Sequence, residues 1–375
     1  MKSVIIYNAS WHTFGGGEKY ICTFTDVLSK TGNYDTTLLV DKPSITKDAL
    51  SRYFNLSLER LHIQPATPRQ VPALLSTADI GVVVSNFRSF GNRAKKNVYV
   101  LQIPYTEISL QSVSGRVLRG QIKEAGKDIF RRSLLSTARD ADLVLVYSEF
   151  VKHALHRSHG INAQVLHPAI DDFAQDASKE NIILSVGRFF RGLYNDKRYD
   201  FLIEAFKKLR QQLPHTSWMY HVVGSCGLDE ASLKYLEELR DAAKGHPIYF
   251  HVNSSYEELR RCYNQATIFW HAAGYGVDEE VHPERAEHFG MSTVEAMSAG
   301  CIPIVVNAGG QKEIVSHGKS GYLWSTLEDL VGRTIETMAD PERIRTMSQQ
   351  AREQFHNFDH QHFADRLISL FHQLE

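Results

Sequence analysis

Short runs of aliphatic and β-branched residues recur along this chain with helical patterns between them, and that alternation constrains the fold more than any other feature. Residues 3–7 read SVIIY, and further runs lie at 36–40, 80–85, 97–103 and 143–147. They lack the polar alternation of a strand with one wet face, so each reads as a strand covered on both sides. After a break the pattern resumes, with strands at 182–186, 218–223, 247–252, 267–271 and 302–306 and helices at 200–212, 229–243 and 255–264. The break is the polar stretch 171–181, which holds three Asp and one Glu. Two series of strand and helix imply two doubly wound parallel sheets in tandem. A length of 375 residues also exceeds what one hydrophobic core usually fills.

Two glycine-bearing turns follow strands in this pattern. The first is the loop after strand 3–7, NASWHTFGGGEKY, where Gly15, Gly16 and Gly17 stand just before a helical run. Glycines there let backbone approach a ligand closely, and the helix start supplies N–H donors. The run is not a dinucleotide fingerprint, because Tyr20 stands where GxGxxG wants its third glycine. The second is HPERAEHFGMSTVEAMSAGCIPIVVNAGGQKEIV, His282 to Val315, with seven residues between Glu287 and Glu295. It reads as turn, helix, strand, a glycine loop at Gly309 and Gly310, and helix. That order aims two sets of free N–H groups at one anionic ligand. Strand 182–186 ends in Gly187-Arg188, and Lys197 follows before the next helix. Cations at a strand's carboxyl end face the ligand crevice of an open sheet, and this pair suits a diphosphate.

Together these residues resemble a retaining glycosyltransferase of family 4. The match rests on GGGEK, on VGR…K…D.LI.AF..L, and above all on EHFGMSTVEAMSAGCIPIV followed by GG..EIV. The resemblance implies the GT-B fold, two tandem Rossmann-like domains facing an interdomain cleft. The expected divisions are an acceptor-binding domain at 1–172, a nucleotide-sugar domain at 173–355, and a last helix at 356–375 crossing back to the first domain. Arg188 and Lys197 would hold the donor diphosphate, Glu287 the hexose and Glu295 the ribose hydroxyls. The backbone of Phe289, Gly290 and Met291 would meet sugar or phosphate, and Gly16 and Gly17 would approach the diphosphate from the first domain. Two departures from the family pattern stand out. Eight residues, FFRGLYND, separate Arg188 from Lys197, so Arg191 could compete for the phosphate. Residues 102–106, QIPYT, hold no His where the family often has one, leaving His12 and Tyr105 as candidates for sugar or acceptor contact.

The implied reaction moves a mannose- or glucose-type hexose from a GDP- or UDP-sugar to a glycan, lipid-linked or small-molecule hydroxyl. Neither a metal nor a cofactor is expected. Asp140-Ala141-Asp142 matches the DxD of metal-dependent transferases, but it joins a helix to a buried strand, where Asp is common. Lys197→Ala is expected to lower turnover with little change in folding stability. The competing readings are a glycan-binding protein of this fold without activity, a sugar-nucleotide epimerase or phosphorylase, and an NAD oxidoreductase.

Composition sets the remaining bounds. A net charge of −1 carries no global nucleic-acid footprint. Local charge differs: residues 116–139 hold seven basic and two acidic side chains, a balance of +5, interspersed with Ile122, Ile129, Phe130, Leu134 and Leu135. That segment is a candidate for peripheral contact with an anionic membrane, or else a solvated helix face. Cys22, Cys226, Cys262 and Cys301 form no CxxC pair, and MKSVIIYNAS holds only three consecutive aliphatics. A cytoplasmic chain, peripheral at most to the inner membrane face, is therefore expected.

Overall fold

The computed structural model describes residues 1–9, 11, 15–42, 44–191 and 196–374. The chain divides into two compact units, Met1–Ala169 with Gln361–Glu375, and Ile170–His360. In the first, strands β1 (Lys2–Asn8), β2 (Tyr34–Val40), β3 (His62–Pro65), β4 (Ile80–Val84), β5 (Lys96–Leu101), β6 (Leu143–Val146) and β7 (Gln164–Val165) form one sheet. Its order is β3-β2-β1-β4-β5-β6-β7, and every neighbouring pair is parallel. In the second unit, β8 (Glu180–Val186), β9 (Met219–Gly224), β10 (Ile248–Val252), β11 (Ala266–His271), β12 (Ile302–Val306) and β13 (Tyr322–Trp324) are likewise all parallel. Their order is β10-β9-β8-β11-β12-β13. The α/β fold read from the strand–helix alternation is the fold observed.

The strands identified from sequence, apart from the edge strand β10, are interior ones. Every residue of β4, β11 and β12 is buried, which is why they read as unbroken apolar runs. The strands that sequence missed are the edges β3, β7 and β13, of four, two and three residues. Three of four residues in β3 are exposed, so no apolar run marks it.

Strand order reverses between β1 and β4 in the first sheet and between β8 and β11 in the second. At such a switch point the connections leave in opposite directions and open a crevice at the strands' carboxyl ends. The second unit's core packs Leu202, Phe206 and Leu209 of the helix Tyr199–Gln212 with Tyr220, Trp270 and Ile304. The final helix, His360–His372, buries Phe363, Leu367, Leu370 and Phe371, one face at helical spacing. Phe363 meets Tyr20 edge-on at 5.5 Å, and Phe371 meets Phe24 at 5.6 Å.

Candidate functional site

The second sheet's switch point gathers a buried charged cluster. Beyond β8, Gly187 donates its N–H to the Val223 carbonyl at 3.0 Å. A Cβ on Gly187 would stand 2.9 Å from the Tyr199 hydroxyl and 3.0 Å from Lys197 Cγ, so glycine makes room for the lysine stem. Lys197 Nζ then reaches 2.5 Å from Glu287 Oε2, with side chains only 16% and 9% exposed. His271, the last residue of β11, brings Nε2 to 3.1 Å from the same carboxylate oxygen. Gln311 donates its amide N–H to His271 Nδ1 at 3.2 Å, which leaves the ring proton on Nε2, facing Glu287.

Burial alone would raise the Glu287 carboxyl, yet the Lys197 charge and the bonds from His271 and Lys197 hold it well below the usual carboxylate range. Burial pushes His271 down, with Lys197 adding to the effect against Glu287, so the ring is neutral at pH 7. The cluster is an ionised carboxylate clamped by one cation and one neutral imidazole. It suits accepting hydrogen bonds from hydroxyl groups and does not suit donating a proton.

The glycine pair that sequence assigned to an anion has another use. Gly309 has φ +58°, and a Cβ there would lie 2.2 Å from the Glu287 carbonyl oxygen. Gly310 donates to that carbonyl at 2.8 Å. The amide of Gly309 bonds the Glu279 carboxylate at 2.7 Å, and Lys312 pairs with the same side chain. These N–H groups are therefore occupied within the protein, and they hold the Glu287 backbone in place. Gly290, at φ +119°, opens the helix Met291–Ser298, and the amides of Met291 and Ser292 carry no hydrogen bond among the described residues. They remain donors for an anion, backed by the helix dipole. Phe289 is 2% exposed and packs on Phe358 at 5.5 Å, so its ring belongs to the core. Glu295, one turn into the helix, accepts from the Tyr263 hydroxyl at 2.7 Å. Burial, the Glu295 charge and its hydrogen bond raise the Tyr263 pKa well above its ordinary value and keep it a donor.

Arg188 is exposed, lies over the Phe190 ring at 5.1 Å, and makes no ion pair among the described residues. Arg191 instead bonds Glu238 at 3.0 Å and stacks on Tyr235 at 4.4 Å, which ties it to the helix Glu230–Ala243 and away from Lys197. Of the DxD-like pair, Asp142 accepts from Lys96 and from the Asn97 amide at 2.9 Å, bracing the start of β5.

In the first unit, a Cβ on Gly17 would lie 3.3 Å from Gln102 Nε2, so the glycine loop runs close over the end of β5. The Glu18 carboxylate accepts from the Gly15 amide at 3.0 Å. Gln102 is bonded on both sides, by Asn86 at 2.8 Å and by Tyr147 at 2.5 Å. Beside it, at the carboxyl ends of β1, β4 and β5, lies a cavity of about 280 Å3 lined by Asn8, Ser85, Asn86, Phe87, Arg88 and Gln102. Tyr105 is buried elsewhere, with Arg131 over its ring at 4.7 Å and its carbonyl bonded to His159. His12 lies outside the described residues.

Sequence reasoning overlooked His271, Gln311, Tyr263 and Gln102. For His271 a signal existed: it is the one imidazole closing the apolar strand ATIFWH, at a carboxyl end beside the switch point.

Comparison with known proteins adds relatives. The family described as glycosyl transferases group 1 matches residues 169–354. A GDP-Man:Man(3)GlcNAc(2)-PP-Dol alpha-1,2-mannosyltransferase of Dictyostelium discoideum is 27% identical over 52% of this chain and 37% of its own length. A mannosylfructose-phosphate synthase of Agrobacterium fabrum is 25% identical over 48% of this chain and 41% of its own. The chain thus spans about two fifths of the length of these curated relatives. Among solved structures, Anabaena HepE in complex with UDP-glucose superposes with a TM-score of 0.69 at 16% identity, covering 100% of both chains. A glycosyltransferase from Rickettsia africae reaches 0.73 at 15% identity, covering 100% of this chain and 98% of its own. These likenesses show the two-domain GT-B fold.

Proposed function

We propose that this chain, whose residues 169–354 match the family of glycosyl transferases group 1, is a retaining hexosyltransferase. Its donor is a GDP- or UDP-hexose of mannose or glucose type, and its acceptor is a hydroxyl on a glycan or lipid-linked molecule. The observation that carries this reading is the buried Lys197–Glu287–His271 cluster at the switch point of the second sheet. The Dictyostelium relative is named for GDP-Man and a PP-Dol acceptor, and HepE was solved with UDP-glucose, so both donor classes are to be tested.

In this reading Glu287 accepts hydrogen bonds from the hexose hydroxyls, and His271 and Gln311 keep its carboxylate aimed. Lys197, Arg188 and the amides of Met291 and Ser292 take the diphosphate, while Tyr263 holds Glu295 toward the ribose. The first-unit cavity beside Gln102 takes the acceptor. Breaking the bond from the anomeric carbon to the phosphate oxygen leaves the electron pair on the diphosphate. The acceptor oxygen bonds to the same face of that carbon, and its proton passes to the departing phosphate oxygen. A double displacement would need a second carboxyl about 5–5.5 Å from the first. Glu287 is already engaged by Lys197 and His271, and Glu295 is assigned to the ribose, so the front-face route fits better. The charge that develops on the leaving group meets fixed cations and amides, which is where most of the rate enhancement would arise. Neither a metal nor a further cofactor enters this scheme. Four free, buried thiols fit a reducing compartment such as the cytoplasm.

A thermal-shift screen over UDP-, GDP- and ADP-sugars tests the donor class. A ligand at 100 times its Kd stabilises by about 2.7 kcal/mol, which is readily measured. If no nucleoside diphosphate or its sugar raises Tm, the reading fails.

A further inference from the structure

The first unit carries an apolar surface that the donor chemistry does not use. Leu118 is 87% exposed, Ile122 71% and Leu110 68%, and Val117, Ile129 and Phe130 are about half exposed. All six lie on two consecutive helices, Leu110–Leu118 and Ile122–Arg139. Elsewhere exposed large apolar residues are mostly scattered, such as Tyr53 or Val281. In the longer helix Ala125, Asp128, Leu135 and Ala138 are buried, whereas Ile122 and Ile129, two turns apart, project on the opposite side. A surface helix ordinarily keeps that side polar. Leu134 and Leu135, which the sequence pattern grouped with these residues, belong to the core.

Charge identifies the occupant. Buried Asp128 binds Arg116 at 2.9 Å and Arg131 at 3.2 Å, which pins one helix to the other. Arg119, Lys123 and Lys127 remain exposed among the apolar side chains, with Lys127 paired to Glu124. Leu118 and Ile122 flank the turn that carries Arg119, so the tip of the hairpin is apolar and its shoulders are basic. No helix among the described residues is long and apolar enough to cross a membrane. We propose that this hairpin docks peripherally on an anionic lipid bilayer, inserting Leu118 and Ile122 below the headgroups while Arg119, Lys123 and Lys127 meet lipid phosphates. The site is independent of the donor chemistry. It adjoins the first-unit cavity, because Phe87, one of the cavity's walls, packs on Phe130 at 5.5 Å, and Arg88 lies over that ring at 5.7 Å. An amphiphilic acceptor held in the bilayer would therefore present its head beside that cavity.

The test is co-sedimentation of the full chain with phosphatidylcholine vesicles and with vesicles that also contain phosphatidylglycerol. Binding is expected only to the mixed vesicles, weakening as salt rises. It should fall at least ~10-fold in Leu118→Asp/Ile122→Asp and about fivefold for each cation reversed in Arg119→Glu/Lys123→Glu. Tm and donor turnover should be unchanged in both variants, which separates this outcome from failure of the transferase reading. Equal binding to both vesicle types, or undiminished binding by Leu118→Asp/Ile122→Asp, would overturn the proposal. So would a change of oligomeric state in that variant without vesicle binding, since a second copy would then be the occupant.

Discussion

Lys197 and Glu287 lie 90 positions apart and meet as a buried ion pair, and this changes what a substitution does. Taken singly from the sequence, Lys197 is a surface cation whose removal should leave folding nearly untouched. In the structure, Lys197→Ala would strand an ionised Glu287 beside a neutral His271. Breaking a buried pair from one side typically costs about 3–5 kcal/mol, so that variant should lose stability in a denaturant titration as well as turnover. A stability loss below about 1 kcal/mol would mean the pair is open to solvent. Motif spacing made Glu287 and Lys197 legible as separate acids and cations. His271 and Gln311 were not legible, because a lone polar residue closing an apolar run looks the same whether it serves the core or a site.

At the scale of elements, glycine marked the right places, and at one of them it also serves close backbone packing. Gly309 and Gly310 let the loop after β12 lie against the backbone of Glu287 and Phe289, and their amides are already bonded. Gly309→Ala would meet the Glu287 carbonyl in a left-handed backbone conformation. The expected result is a loss of at least ~1–2 kcal/mol together with impaired donor turnover, read by thermal unfolding and product release. Normal stability and turnover in that variant would show that the loop does not position Glu287. Interior strands were legible because burial on both faces writes an unbroken apolar run. Edge strands such as β3 bury too little to leave that mark.

Across the whole molecule, buried and half-buried histidines set an acid limit. His159, His167, His271 and His288 are all pushed down chiefly by burial, and burial with the neighbouring His251 takes His221 to about 4. Each is harder to protonate folded than unfolded, where the pKa is about 6.5. Their contribution is complete above about pH 6.5 and is lost as pH falls toward the folded values, with Glu287 adding a further loss below about 4.5. Tm should therefore decline from pH 7 to pH 4.5; a flat or rising Tm would contradict the burial described.

The tandem sheets were readable from strand–helix alternation, and the likeness to group 1 transferases from the EHFG…VEAMSAG wording. The apolar tip of the first unit's helical hairpin was only half readable, since composition alone cannot separate Leu134 and Leu135 in the core from Ile122 and Ile129 outside. The donor site itself is probed most directly at Arg188, which is exposed and makes no ion pair among the described residues, so its removal should leave the fold intact. The decisive measurement is nucleoside diphosphate release from GDP- and UDP-hexoses by the parent chain and by Arg188→Ala. A drop of at least ~100-fold at unchanged Tm is predicted for a cation that stabilises the leaving diphosphate. Equal release by both proteins would remove Arg188 from the donor site and contradict the account.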